Sequence, residues 1–144
     1  MTFEELREAA ANASPKVQQL ARGIARAEGF GVAGALPTRC NNPGDLELGD
    51  LGLGMDRAKT VFPDAETGWA ALCHECGLML AGLNGQHRSA VYDRDMKFLT
   101  VAQIWTGGDN WQPWASIVAS ACGMLPSETL ADFLNAMPPI ARSA

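Results

Sequence analysis

The sequence lacks a long hydrophobic run, a basic cluster and a low-complexity tract. No apolar stretch in its 144 residues approaches the length of a membrane-spanning helix, so we expect no membrane insertion. The 11 Lys and Arg residues are scattered and the formal net charge is −5, which argues against nucleic acid as the main partner. Residues Met1–Glu5 are acidic without an apolar core, so no signal peptide is expected and the localisation stays open.

Cysteine and histidine do not recur with the spacing that is usual for a zinc site. Four cysteines stand at positions 40, 73, 76 and 122, and a second pair with the spacing of Cys73 and Cys76 is missing. Both of these cysteines also fall inside a predicted helix. We therefore predict buried free thiols and no metal, while a single disulfide, for instance from Cys40, stays open.

The composition is that of a globular chain, with 47% hydrophobic residues and a length typical of one domain. We predict a single domain over 1–144, with an N-terminal helix inside 1–13 and a flexible tail at 138–144. The fold class expected is α+β and predominantly helical, with a small β-hairpin or irregular sheet at one side of a cleft. Periodicity predicts helices at about 3–11, 15–28, 65–83, 101–105, 112–122 and from Pro126, and strands at about 45–48 and 59–62.

One carboxylate stands out because it continues an apolar helical stripe. Val17, Leu20 and Ile24 form the stripe, and Glu28 follows four residues after Ile24, in the last turn of the helix. Gly29 occupies the position of a left-handed C-terminal cap. Burial and the negative end of the helix dipole both raise the pKa of such a carboxyl, as a general acid near neutral pH requires. The alternative is a helix-end Glu that faces water.

Several motifs in order resemble the lysozyme-like superfamily. They are Ala-Glu-Gly-Phe (27–30), Arg-Cys-Asn-Asn-Pro-Gly-Asp-Leu (39–46), Thr-Val-Phe-Pro-Asp-Ala-Glu-Thr-Gly-Trp (60–69), Thr-Val-Ala-Gln-Ile-Trp (100–105) and Gly-Asp-Asn (108–110). The similarity is greatest to phage and prophage domains with an Asn-Asn-Pro-Gly loop and covers about residues 20–134. The chain departs from this pattern at Cys40 and Asp45, where Asn is expected, and at Trp114, where Tyr is expected.

The resemblance implies a lysozyme-like fold and a muramidase or lytic transglycosylase that cleaves peptidoglycan between N-acetylmuramic acid and N-acetylglucosamine. Glu28 falls on the position of the family's proton donor. Such an enzyme needs no cofactor, its partner is the glycan strand, and we expect a monomer. Since the substrate lies in the periplasm or cell wall, delivery would depend on phage-mediated or other lysis.

The step at the anomeric carbon leaves two possibilities. A second carboxylate could activate water or act as the nucleophile, and Asp45 is the first choice over Asp50 and Asp56 because its turn is the most constrained. Thr60 could position a water molecule at the strand edge. Alternatively the substrate's own hydroxyl attacks, as in a lytic transglycosylase, and Glu28 serves as acid and then as base.

Four further residues are candidates for substrate binding. Trp105, Asn110 and Trp111 flank a Gly-Gly loop, and aromatic faces and amides suit N-acetyl sugars. Asn42 is a fourth candidate, although an Asn in such a turn commonly bonds the local backbone instead, and a helical Trp105 commonly belongs to the core.

Two other functions compete with the enzyme. A non-catalytic wall-binding or virion module could keep the same fold. A cysteine peptidase could use Cys40 or Cys73 with His74 or His87, although a cysteine in the middle of a helix is poorly placed for thiolate formation.

Overall fold

The computed structural model describes residues 2–47, 54–82 and 92–137, and this part of the chain is predominantly helical. It begins with α1 and α2, continues through a short α3 and one two-stranded hairpin, and ends with four further helices. The bounds are α1 Phe3–Ala11, α2 Pro15–Ala27, α3 Leu36–Arg39, β1 Met55–Asp56, β2 Lys59–Thr60, α4 Ala65–Leu80, α5 Phe98–Thr106, α6 Trp111–Ala121 and α7 Leu130–Asn135.

The first two helices begin where the sequence predicts. The Thr2 hydroxyl caps α1 by accepting a hydrogen bond from the Glu5 amide at 3.1 Å. Ser14 does the same for α2, accepting from the Val17 amide at 3.3 Å, and Pro15 takes the first helical position. These local signals are independent of tertiary contacts, which is why the predictions of 3–11 and 15–28 are correct to within one residue.

Helix α4 lies at the centre of the helical packing, against both α1 and α2. Asp64 caps it, and Leu80 ends it before the left-handed Gly82. The predicted end at 83 is therefore too late, and residue 83 itself lies outside the described ranges. The main core cluster joins residues of α4 to residues of α2, α5, α6 and α7, and its fully buried members include Leu20, Ile24, Leu72, Cys76, Met79, Phe98, Val101, Val118, Leu130 and Phe133.

Two helix starts differ from their predicted positions. Helix α5 begins at Phe98 rather than 101, because the Phe98 amide donates to the Glu128 carbonyl and the Phe98 ring packs edge-on against Phe133. Helix α7 begins at Leu130 rather than near Pro126, because Thr129, three residues after Pro126, forms a reciprocal capping box with Asp132. Helix α6, Trp111–Ala121, lies within one residue of the predicted 112–122.

The predicted strand at 45–48 is wrong over its described part. Asp45 has a left-handed backbone with φ +53, and Leu46 forms no strand. The Asn42 side chain takes both backbone groups of Leu46, donating to its carbonyl and accepting from its amide, each at 2.9 Å. Because the Leu46 amide is already bonded to this side chain, it cannot donate to a strand ladder; residue 48 is not among the described residues.

The hairpin that the structure contains pairs Met55 with Thr60 and Asp56 with Lys59. Its two turn residues both have positive φ, which matches the right-handed twist of a two-residue hairpin. The second predicted strand, 59–62, is shortened to Lys59–Thr60 because the Phe62 amide donates to the Cys40 carbonyl at 2.9 Å instead. The sequence does not predict the four-residue α3, since it is too short to show a periodicity.

One close approach joins α4 to the Asn-Pro-Gly turn, residues 41–44. A Cβ placed on Gly68 would collide with the Asn41 carbonyl oxygen. The first turn of α4 can therefore lie directly on this turn only because residue 68 has no side chain. This contact fixes the turn beside the end of α2, where the candidate site lies.

Candidate active site

The site is built around Glu28, which is the C-terminal cap of α2. The Gly29 amide donates to the Arg26 carbonyl and the Phe30 amide to the Ala25 carbonyl, which is the Schellman arrangement. Gly29 has φ +80, the left-handed cap that the sequence predicts. The chain turns away at this point, and the Glu28 side chain is left half-buried against α6.

The indole of Trp114 holds the carboxylate. Its Nε1 donates a hydrogen bond of 2.8 Å to Glu28 Oε1, and the residue is only 4% exposed. Trp105 packs beside it, with ring centroids 6.0 Å apart and planes inclined by 31°. Glu28 therefore has a fixed donor on one side and an aromatic wall next to it.

Burial raises the pKa of Glu28 from an ordinary 4.5 to about 7. The hydrogen bond from Trp114 opposes this rise because it stabilises the anion, the charge of Asp45 adds to it, and the charge of Lys59 opposes it. Desolvation is thus the main cause of the shift. Near neutral pH a large share of Glu28 carries a proton, as the sequence analysis expects of a general acid.

A groove of about 260 Å³ lies beside Glu28. Its lining residues come from the end of α2, the end of α5, the α5–α6 loop, α6, β2 and the residue that follows the Asn-Pro-Gly turn. They are Ala27, Glu28, Asp45, Lys59, Trp105, Thr106, Asp109, Asn110, Pro113, Trp114 and Ile117. The groove combines carboxyl groups, one amide and apolar rings, a lining that suits a neutral polar ligand with apolar faces.

Asp45 shares this groove and is held by an ion pair. Its Oδ2 lies 3.3 Å from Lys59 Nζ, whereas its Oδ1 is buried and has no hydrogen-bond partner among the described residues. Lys59 also lies 2.7 Å from Glu47 Oε1. Burial alone would lower the pKa of Lys59, but the hydrogen bond and charge of Glu47 and the charge of Asp45 outweigh it and raise that pKa, so Lys59 remains cationic.

The predicted binding residues divide into two groups. Trp105 and Asn110 line the groove, the latter with φ +54 at the start of α6. Trp111 packs against the main core and is not among the groove-lining residues of the described chain. Asn42 is 0% exposed, and its amide nitrogen bonds the carbonyls of Leu46 and Thr60, so its position is that of a residue that fixes the turn.

Of the other predicted carboxylate and hydroxyl residues, Thr60 and Asp56 are not among the groove-lining residues of the described chain. Thr60 is fully buried, and its amide donates to the Leu46 carbonyl at 2.9 Å. Asp56 forms an exposed ion pair with Arg39 at 3.0 Å. Asp50 lies outside the described residues.

Lys59, Asp109 and Trp114 are among the groove residues that are not predicted as site residues. The resemblance marks Trp114 only as a position where Tyr is expected, and its partner Glu28 lies 86 residues earlier in the chain. Lys59 lies on the strand face opposite the buried Thr60, a position that usually faces solvent. No periodicity or spacing separates Lys59 from an ordinary surface side chain.

The four cysteines are free and buried, as predicted. Burial raises the pKa of Cys40, and it raises that of Cys73 to about 11, so neither favours a thiolate. His74 lines a separate, largely apolar groove beside α1, and His87 is outside the described ranges. Over 2–47, 54–82 and 92–137, no group of three His, Cys, Asp or Glu side chains could hold a metal ion.

Comparison with known proteins provides no relative from which a role could be transferred. No family model, curated protein or solved structure matches this chain. Among the helices of the described ranges, none combines the length and apolar character needed to cross a bilayer. Function must therefore be inferred from the groove itself.

Proposed function

We propose that the protein is a glycosidase that cleaves the β-1,4 bond between N-acetylmuramic acid and N-acetylglucosamine in peptidoglycan, on a lysozyme-like α+β fold. The observation that carries the proposal is the half-buried Glu28 carboxyl, with its pKa raised to about 7, at the wall of an open groove. A glycosidic oxygen leaves only when it is protonated, so a neutral carboxylic acid beside the bond is the first requirement of the reaction.

In this mechanism Glu28 donates its proton to the leaving oxygen. The developing Glu28 carboxylate is then stabilised by the Trp114 indole N–H, which is already 2.8 Å from Oε1 and needs no rearrangement. Since this hydrogen bond is stronger to the anion than to the neutral acid, it favours the state that follows proton transfer. Trp114 is thus placed to assist the step that Glu28 performs.

Asp45 is the candidate for the second carboxylate. It lines the same groove, and its buried Oδ1, unpartnered within the described chain, leaves an acceptor that a water molecule or the sugar could occupy. Asp45 would activate water or stabilise positive charge at the anomeric carbon. In the alternative, a lytic transglycosylase, the substrate's own hydroxyl attacks the anomeric carbon, and Glu28, now ionised, accepts the proton that this hydroxyl loses.

The groove lining is consistent with N-acetyl sugars. Trp105 offers an aromatic face and Asn110 an amide on the same side of the groove. Both groups are neutral, which fits a chain with net charge −5 that must grip its polymer without bulk positive charge. Since the substrate lies in the cell wall, we propose that the protein reaches it through phage-mediated or other lysis.

The competing functions make different predictions for one experiment. Purified peptidoglycan is treated with the wild type, with Glu28→Gln, and with the Cys40→Ser/Cys73→Ser double variant, and the loss of turbidity is followed. The glycosidase proposal predicts that only Glu28→Gln is inactive, with a rate at least about 100-fold lower.

Three outcomes would contradict this proposal. An inactive but folded cysteine variant would support a peptidase. Full activity in Glu28→Gln, or wall binding without activity in any variant, would also overturn it, and the latter would support a binding module. Circular dichroism of each variant shows whether it is folded.

A further inference from the structure

Charge in the groove is unevenly distributed. Among its lining residues in the described ranges, Glu28, Asp45 and Asp109 carry carboxyl groups, whereas Lys59 supplies the one cation. The lining residues from α5 and α6 include Trp105 and Trp114 but no charged group. Any electrostatic balance inside the groove therefore depends on Lys59.

The side chain of Lys59 is held at two points. Glu47 Oε1 lies 2.7 Å and Asp45 Oδ2 3.3 Å from Nζ. Glu47 is not a lining residue, and 42% of its side chain is exposed, so it anchors the ammonium group from outside the groove. The Lys59 side chain is 23% exposed, less than that of an ordinary surface lysine.

Asp45 follows the Asn-Pro-Gly turn and has a left-handed backbone, φ +53, a conformation in which Asp is commoner than most other residues apart from glycine. Within the described residues, the ion pair with Lys59 is the contact that holds its carboxylate, and Oδ1 is unbonded. The direction of this carboxylate is therefore set by Lys59 rather than by hydrogen bonds of the turn.

We propose that Lys59 is a positioning residue: anchored by Glu47, its ammonium group holds the Asp45 carboxylate in the groove and supplies the positive charge that balances the carboxyl groups beside Glu28. This inference rests on the proposed function only for its kinetic consequence. Its electrostatic consequence can be measured without substrate. A purely structural lysine would leave the titration midpoint of Glu28 unchanged.

The test is a titration of Glu28 by carbon-13 NMR of its carboxyl group, assigned by its disappearance in Glu28→Gln. In Lys59→Met the midpoint should rise by about half a pH unit or more, because a stabilising charge is lost. Lys59→Arg keeps the charge, so the Glu28 midpoint in this variant should stay near that of the wild type. Arg39→Met removes an exposed cation of the neighbouring ion pair, outside the groove lining, and should leave the midpoint unchanged.

Lys59→Gln provides a second variant in case Lys59→Met does not fold. It removes the same charge but keeps a polar side chain, and it should move the Glu28 midpoint in the same direction as Lys59→Met. An unchanged midpoint in the folded variants that lack the Lys59 charge, or an equal shift in Arg39→Met, would overturn the inference.

The kinetic arm uses peptidoglycan. Lys59→Met should lower kcat about tenfold or more with little change in KM, and Lys59→Arg should restore most of it. Equal loss in both variants with an unchanged Glu28 midpoint would show a structural role and would overturn the inference. Failure of the wild type to cut peptidoglycan would contradict the proposed function instead, and the titration would still decide the role of Lys59.

Discussion

Replacing Glu28 by glutamine should stabilise the protein in alkaline solution and have little effect in acid. The folded state raises the pKa of Glu28 from 4.5 to about 7, so it binds this proton more tightly than the unfolded chain does. As pH rises from about 4.5 to 7, the unfolded state loses the proton first, and the free energy of unfolding falls. A glutamine side chain at this position cannot ionise and avoids this loss.

The size of this stabilisation follows from the shift in the pKa of Glu28. Each pKa unit corresponds to about 1.4 kcal/mol, so ionising a fully buried carboxyl would lower the free energy of unfolding by about 3 kcal/mol above pH 7. Because Glu28 is only half-buried, water screens part of this cost, and we expect about 1–2 kcal/mol. For a chain of this size, that gain raises the Tm by about 3–8 °C at pH 8.

The assay is thermal unfolding of the wild type and Glu28→Gln at pH 4 and pH 8, followed by circular dichroism. Glu8→Gln, at an exposed position on α1, is the matched control, and its difference in Tm from the wild type should be the same at the two pH values. The same Tm difference at both pH values, or no gain at pH 8, would refute the reasoning that Glu28 is kept neutral by burial.

Three further perturbations have defined outcomes. Trp114→Phe removes the indole donor and should raise the pKa of Glu28 by about one unit. The alkaline limb of the pH–activity profile should shift upward by the same amount. An unchanged limb would contradict the conclusion that this hydrogen bond stabilises the Glu28 anion. Gly68→Ala should destabilise the protein by about 2 kcal/mol or more in urea unfolding, because the added Cβ would meet the Asn-Pro-Gly turn. Gly77→Ala should not, because the space around Gly77 is open. Equal effects of the two substitutions would refute the contact between Gly68 and the turn. Cys73 should react slowly with a thiol reagent until the protein unfolds, because it is buried and its pKa is raised to about 11; rapid reaction in the folded state would contradict this burial.

The features that sequence reasoning located correctly have local causes. Glu28 follows Ile24 by four residues, and this spacing predicts a carboxyl on the inner face at the end of α2, where the structure has Glu28 half-buried as the C-cap. Gly29 likewise marks the end of the helix because its left-handed backbone is a requirement of the cap itself. Both conclusions need only the residues within one or two turns.

The features that it missed are set by contacts between distant segments. Trp114 meets Glu28 across 86 residues, and no periodicity predicts which inward side chain will donate to a carboxylate. The alternation of residues 45–48 favours a strand, but the Asn42 side chain bonds the backbone of Leu46 instead. The role of Lys59 depends in turn on where that irregular turn places Asp45.

The most direct test of the proposed function is mass analysis of the soluble fragments that the wild type releases from purified peptidoglycan. We predict glycan fragments that end in N-acetylmuramic acid, or in its anhydro form if the substrate's hydroxyl attacks, and none of them with Glu28→Gln. Fragments produced by cleavage of the peptide cross-links, with intact glycan strands, would contradict the assignment of Glu28 as the acid of a glycosidase.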